Sequence, residues 1–287
     1  IRNIHFDGTS GQNRSQSFRS FPENRNSFFQ GCQVQTFQDA EGPCQRQVEG
    51  FCPTKAEWWD FFMKLIIERE IFDVFSSVCH PFRDTDCYLV GGIVRDTLIG
   101  LKSKDIDIAT ACSPARVHMV YPDGLYFQKY GTTTLKEKGY HVTIASLRKE
   151  SGYEDFRHPS RIEFVKDIEM DYLRRDFTIN ALYADENLEV LDPSLQGLRD
   201  LEEKTIRMIG SPEKRLMEDP LRMIRAFRFA DSLSFRIQPE LEEFILSHLY
   251  LLKRLKASKV IEEVNKLEEG KREHLIRTLS LDSLSLK

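Results

Sequence analysis

Tyr88 to Thr110 reads YLVGGIVRDTLIGLKSKDIDIAT, and its second half places two carboxylates on one side of a strand. Ile106 and Ile108 alternate with Asp105 and Asp107, the period of a β-strand whose side chains point to opposite faces in turn. The aspartates face one way and the isoleucines the other, into a core. Two carboxylates held this close repel each other. A divalent cation between them removes the conflict, and Mg²⁺ takes one or two carboxylates together with phosphate oxygens. Ahead of them, Tyr88-Leu89-Val90 reads as a short buried strand stopped by Gly91-Gly92, and residues 93–101 as a helix that starts directly after the glycines. Glycine lets backbone approach a phosphate closely, and a helix start offers N–H groups to it. A lone D-x-D is usually a solvated turn, and a lone Gly-Gly is usually a bend. In this order, with Arg95-Asp96 between them, they read as an anion cradle leading to a metal-binding pair. That arrangement suits nucleoside triphosphate chemistry.

The rest of the chain bounds this reading. Its 287 residues allow one large domain or two modest ones. Hydrophobic residues at 40% and charged residues at 30% are ordinary for a globular protein with a core. Forty-one basic against forty-five acidic side chains give a net charge of -4. That excludes a globally basic nucleic-acid coat but not a local basic groove. No apolar run approaches the roughly 18–20 residues of a membrane span, so no membrane partner is expected. Neither G-x-x-x-x-G-K-[ST] nor G-x-G-x-x-G occurs, which argues against a P-loop NTPase and leaves a dinucleotide fold unsupported. Cys32, Cys44, Cys52, Cys79, Cys87 and Cys112 form no C-x-x-C pair, and scattered thiols in a chain of this length fit a reducing compartment. A cytoplasmic location is therefore expected, with an organelle as the alternative if the first segment is a transit peptide.

Residues 1–55 are rich in Ser, Asn, Gln, Arg, Gly and Phe without helical or strand period, and read as a disordered or irregular extension. From Lys55 the spacing of Trp58, Phe61, Phe62, Leu65 and Ile66 predicts a helix, with Thr54 as its N-cap. Residues 141–148 and 161–165 read as further strands. From Pro212 onward the apolar spacing is helical to the end. Mixed α and β followed by helices alone suggests two units, 56–205 and 206–287.

Four stretches in order resemble the motifs of the class II (bacterial-type) tRNA nucleotidyltransferase/poly(A) polymerase family. They are the opening stretch, RRDFTINALY at Arg174–Tyr183, GLRDLEEKTIR at Gly197–Arg207 and EDPLRMIRAFRFA at Glu218–Ala230. The resemblance covers roughly Leu89 to Glu263. It implies an α+β fold: a polymerase-β-like nucleotidyltransferase head, with a small mixed sheet and helices, followed by an all-helical neck. The family's helical body and tail are not expected within this chain.

The resemblance also implies the chemistry. Asp105 and Asp107 would hold two Mg²⁺ ions that activate an RNA 3′-hydroxyl and steady the departing pyrophosphate. Glu150 is a candidate third carboxylate, with a solvated surface glutamate as the other reading. Gly91, Gly92 and Arg95 would meet the triphosphate. Arg175 would contact phosphate, Asp176 would accept a ribose 2′-hydroxyl, and Asn180 belongs to the same motif. Glu218, Asp219 and Arg222 would read the base, with Asp219 and Arg222 three apart on one helix face. A carboxylate accepts from the exocyclic amine of C or A and a guanidinium donates to the adjacent ring nitrogen, so CTP and ATP would be chosen without a nucleic-acid template. Arg225 and Arg228 would extend that face toward phosphate. The third motif, with Gly197 and Asp200, would act as a hinge between head and neck. Ala257-Ser258-Lys259-Val260 and Glu262-Glu263 match the neck motif loosely.

The implied activity is addition of CMP and AMP to the 3′ end of tRNA. A-only addition, poly(A) synthesis and an inactive nucleotide- or RNA-binding fragment are the alternatives. KYGTTTL at Lys129–Leu135 and RKESGYEDFRHP at Arg148–Pro159 resemble the flexible-loop region of CCA-adding members. The Gly-Arg-Arg-Phe-type stretch of many bacterial poly(A) polymerases is replaced by Tyr126-Phe127-Gln128-Lys129-Tyr130.

Overall fold

The structure, a computed structural model, describes residues 32–34, 63–153 and 156–281. The first part runs β1 (Cys32–Val34), β2 (Met63–Leu65), α1 (Arg69–Cys79), β3 (Cys87–Val90), α2 (Gly92–Leu98), β4 (Asp105–Thr110), α3 (Pro114–Val120), β5 (Leu125–Phe127), β6 (Thr132–Glu137) and β7 (Tyr140–Ser146). It continues with β8 (Arg148–Tyr153), β9 (Pro159–Phe164), α4 (Ile168–Asp171), β10 (Tyr183–Ala184), β11 (Val190–Leu191), α5 (Gly197–Glu202) and β12 (Thr205–Ile206). Then follow α6 (Pro212–Glu218), α7 (Leu221–Leu233), β13 (Arg236–Ile237), α8 (Pro239–Ser247), α9 (Ala257–Val264) and α10 (Glu269–Thr278). No described helix is long and apolar enough to cross a membrane.

Seven strands form one mixed sheet in the order β11-β10-β3-β4-β7-β6-β5. Within it β4 and β7 are parallel, with Asp105 beside His141 and Asp107 beside Thr143. The β3–β4 pair is antiparallel, with Leu89 opposite Ile108. Antiparallel pairing makes β3 end where β4 begins, so Gly91-Gly92 arrive next to the two aspartates. The alternation read from the sequence has its physical counterpart here. Ile106, Ile108, Val142 and Ile144 are fully buried against one face, with Val74, Phe75 and Val78 of α1 in the same core. Burying each such side chain contributes about 1.5–3 kcal/mol, enough to specify which face β4 turns to solvent.

The neck helices share this core. Leu216, Ile224, Leu241, Val260 and Leu275 belong to the same buried cluster as Leu89 and Ile108. A continuous apolar core holds the two halves in a defined relation, which a site spanning both halves requires.

Three expectations need correction. Residues 63–65, the described end of the helix expected from Lys55, are a strand; Met63 and Leu65 are buried with Lys64 between them, a period of two rather than 3.6. Residues 54–62 lie outside the described residues, as does most of the 1–55 extension, but β1 within it pairs antiparallel with β2. Among the described residues the helical second half contains one strand, β13, which runs parallel to β12 through Thr205–Arg236 and Ile206–Ile237. Two residues are too few to show a period.

The third motif is a packing point. Asp200 is fully buried and accepts from Thr178 Oγ1 at 2.7 Å and Arg207 Nε at 3.0 Å. A Cβ on Gly197 would stand 2.7 Å from the Thr178 carbonyl oxygen and 2.8 Å from Leu182 Cδ2. Gly197→Ala is therefore expected to cost about 1–3 kcal/mol, because backbone, not a flexible side chain, blocks the methyl group. A denaturant titration checks this: the midpoint should fall with an unchanged slope, and an unmoved midpoint contradicts the contact.

Candidate active site at the head–neck junction

The β4 pairing leaves Asp105 exposed and Asp107 half-buried on the face opposite Ile106 and Ile108. Burial pushes the Asp107 carboxyl up. Arg175 opposes that shift, Asp105 adds to it, and Arg95 opposes it. Neither carboxylate accepts a hydrogen bond from a described residue. Two same-side, unsatisfied carboxylates fit a hard divalent cation such as Mg²⁺. Among the described residues no cluster of three or more His, Cys, Asp or Glu side chains surrounds them, so further oxygen ligands would have to come from phosphate and water.

Gly91 adopts φ +75°, a left-handed conformation that other residues adopt only with strain. A Cβ there would lie 3.9 Å from Arg175 Nη1 and 4.0 Å from Asp107 Oδ2, so the turn draws backbone, cation and carboxylate together. Arg95, on α2, is buried and donates from Nη1 to Asn180 Oδ1 at 2.5 Å and from Nε to Asp96 Oδ1 at 2.8 Å. Asn180 in turn donates to Asp176 Oδ1 at 3.1 Å. Arg175 donates from Nε to the Tyr183 hydroxyl at 2.8 Å, leaving Nη1 on the Gly91 side.

Asp176 is more heavily engaged than the sequence suggests. Its Oδ1 accepts from Phe177 N at 2.8 Å as well as Asn180, and its Oδ2 accepts from Arg225 Nε at 2.7 Å. Burial alone would raise this carboxyl, but Arg225, then Asn180, hold it well below the usual carboxylate range. Its contacts fix Arg225 and Asn180, and they occupy the lone pairs that a ribose hydroxyl would use.

The neck supplies the facing wall. Asp219 is not on the helix face of Arg222. It lies between α6 and α7 in an extended conformation, φ -149°, and its Oδ1 accepts from Leu221 N at 3.0 Å. The cause is Pro220, since a residue before proline is driven out of the helical region. Arg222, in the first turn of α7, donates from Nη1 to the Arg215 carbonyl at 2.7 Å and meets Glu218 at 3.3 Å. Glu218 also takes Arg215 Nη1 at 2.6 Å, so it holds two arginines in place. Asp219 and Arg222 both line the same cavity; burial raises the Asp219 carboxyl and the Arg222 charge opposes that shift. Arg225 and Arg228 do not project freely. Both pair with Glu263, at 3.5 and 2.8 Å, and Arg228 stacks 3.9 Å above the Phe229 ring.

These groups converge on a cavity of about 560 Å³. It is lined by Gly91, Gly92, Arg95, Asp105 and Asp107 from the β3–β4 end of the sheet. Arg175, Asp176 and Asn180 line it from the loop before β10, and Asp219, Arg222, Arg225 and Arg228 from the neck. Glu150 is the exception. The chain leaves the sheet at Leu147, and β8 pairs with β9 in a separate ribbon. There Glu150 accepts from Arg148 Nε at 2.7 Å and from the Tyr153 hydroxyl at 2.8 Å, and it does not line the cavity. The structure thus does not bring it to Asp105 and Asp107 as a third carboxylate. Sequence reading missed Arg215 and Asp171, whose only signal is their spacing from Glu218 and Arg175. It also missed Ser103, Phe229 and Lys266, which line the cavity without any pattern of their own. A second cavity, of about 620 Å³ beside α1 and β3, shares no lining residue with the first and contains none of the candidate site residues.

Residues 87–207 match the poly(A) polymerase head domain family. Over 208 residues the chain is 39% identical to a CCA-adding enzyme of Lactobacillus johnsonii, a match covering 71% of this chain and 52% of that protein. Among solved structures, the Bacillus stearothermophilus CCA-adding enzyme in complex with CTP is similar at TM-score 0.66 and 31% identity, over 76% of this chain and 53% of that one. A tRNA nucleotidyltransferase complexed with a primer tRNA and an incoming ATP analog is similar at TM-score 0.59 and 28% identity, over 74% and 62% of the two chains. The chain spans about half the length of the curated relatives it matches. On these likenesses in sequence and in fold, the chain belongs to the class II (bacterial-type) tRNA nucleotidyltransferase/poly(A) polymerase family.

Proposed function

We propose that this chain is the catalytic portion of a template-independent RNA nucleotidyltransferase that adds CMP and AMP, from CTP and ATP, to the 3′ end of tRNA. The observation that carries this reading is the meeting, in one cavity, of the Asp105–Asp107 pair with the Asp219–Arg222 pair, with arginines between them. A nucleotide in this cavity would lie with its phosphates toward the head and its base toward the neck. The CTP complex of the Bacillus stearothermophilus relative and the primer tRNA complex of the other neighbour support this assignment of substrates.

Asp105 and Asp107 would hold Mg²⁺, two ions in the family's pattern, which supplies Lewis-acid stabilisation of phosphate oxygens and a more acidic 3′-hydroxyl. Arg95 and Arg175 bind and orient the triphosphate and offset the charge that gathers on pyrophosphate as it leaves. Asp219 accepts from the exocyclic amine of C or A, and Arg222 donates to the ring nitrogen beside it. Uracil presents a carbonyl where Asp219 needs a donor, and guanine a carbonyl beside a ring N–H. Bond formation between the RNA 3′-oxygen and the α-phosphorus displaces pyrophosphate, so positioning and electrostatics account for the catalysis. RNA contact relies on local arginines rather than net charge, and binding should weaken as salt rises.

The test supplies Mg²⁺, one labelled nucleoside triphosphate at a time, and tRNA transcripts ending before CCA, at C or at CC. Stepwise C, C and A addition that then stops is the expected result. Addition of A alone to the CC-ended transcript, or a long A ladder, replaces it with one of the sibling activities. Nucleotide binding without incorporation shows that more protein than these residues is required.

A further inference from the structure

We propose that Asp171 is the positioning residue that sets the triphosphate grip of this site, an assignment that rests on the nucleotide reading above. Asp171 closes α4 and is fully buried, yet it does not line the cavity. Its Oδ1 accepts from Arg174 Nε at 2.8 Å and Arg148 N at 3.0 Å. Its Oδ2 accepts from the Tyr183 hydroxyl at 2.7 Å and from Arg175 Nη2 and Nε at 2.9 and 3.1 Å. One carboxylate therefore grips two consecutive guanidiniums, both of which line the cavity.

The geometry of that grip matters. Asp171 takes the Nε and Nη2 edge of Arg175, so Nη1 is the nitrogen presented beside Gly91 and Asp107. A free arginine loses considerable rotamer entropy when it captures phosphate, and one already held loses less. The buried negative charge also offsets the repulsion between neighbouring Arg174 and Arg175, which would otherwise drive one of them out of the site. Burial would raise this carboxyl, but Arg175, Arg174, the Arg148 N–H and the Tyr183 hydroxyl hold it ionised, so the charge is permanent at neutral pH. A carboxylate serving stability alone needs no such alignment of both partners toward one cavity.

The test compares equilibrium binding of CTP and CMP, with Mg²⁺ present, to the parent chain, Asp171→Asn and Tyr183→Phe. Asp171→Asn keeps the shape and removes the charge. Tyr183→Phe keeps the ring and removes one hydroxyl that bridges Asp171 and Arg175. The expected result is a loss of CTP affinity of about tenfold or more in Asp171→Asn and about threefold in Tyr183→Phe, with CMP affinity within about twofold of the parent. An unchanged CTP-to-CMP ratio in both variants overturns the assignment, as does an equal loss of both ligands, which marks a structural role. If Asp171→Asn fails to fold, the ratio in Tyr183→Phe decides. A parent that binds neither nucleotide overturns the nucleotide reading of the site and this assignment with it. A parent that binds both, with variants that match it, overturns this assignment alone.

Discussion

Asp105→Ala and Asp107→Ala should each lower nucleotide incorporation by about a thousandfold or more, while CTP affinity falls far less. The contrast follows from which groups touch which part of the nucleotide. In the proposed reading the triphosphate would meet Arg95 and Arg175 and the base would meet Asp219 and Arg222, and none of these is held in place by the aspartates. The aspartates themselves have no other duty among the described residues. Neither carboxylate accepts a hydrogen bond from a described residue, and the strand that carries them is fixed by Ile106 and Ile108 on its other face. Truncation at position 105 or 107 should therefore remove the proposed cation site without unfolding β4. Removing one of two repelling carboxylates should leave the melting temperature unchanged or raise it slightly. Single-turnover incorporation and CTP titration on the same preparations provide the check. Incorporation within tenfold of the parent in either variant removes the two-carboxylate assignment.

The second large effect is on base choice. Asp219→Ala should erode the preference for C and A over U and G by roughly ten- to a hundredfold, the range in which one well-placed pair discriminates between bases. Because Asp219 Oδ1 also holds Leu221 N at the start of α7, alanine removes a cap as well as a reader. Asp219→Ser separates the two roles, since a hydroxyl can replace the capping oxygen but not the second carboxylate oxygen. Serine should restore stability without restoring base preference. Arg222→Ala should relax the same preference, at a larger cost in stability, because Arg222 is buried and ties α7 to the Arg215 carbonyl and Glu218. Competing incorporation of all four nucleotides by each variant gives the measurement. An unchanged preference for C and A in the Asp219 variants contradicts the reader role.

The motifs were legible because each carries its own local physics. Alternation at 105–108 is a strand with an acidic face, Gly91-Gly92 is a turn that backbone alone can fill, and Glu218-Asp219-Pro220 is a helix break. The last was misread through spacing. Three residues apart means neighbours only within one continuous helix, and Pro220 was the visible sign that the helix stops. Glu150 illustrates the reverse. A carboxylate shortly after a strand that borders Asp107 is a reasonable third ligand. One residue, Leu147, marks the point where the chain leaves the sheet, and no pattern in the sequence announces it.

By itself the sequence determined the fold family, the strand carrying Asp105 and Asp107 and most of the side chains that line the cavity, because these depend on periods and turns a few residues long. Only the tertiary structure decided how those side chains are held. Asp171 grips Arg174 and Arg175, Asp176 is committed to Arg225 and Asn180, Arg215 bridges to the carbonyls of Arg174 and Arg175, and Glu263 gathers Arg225 and Arg228. Several of these pairings cross tens of residues and the head–neck junction. A buried charge must find an opposite charge or a donor, but which one it finds depends on how the continuous core brings distant elements together.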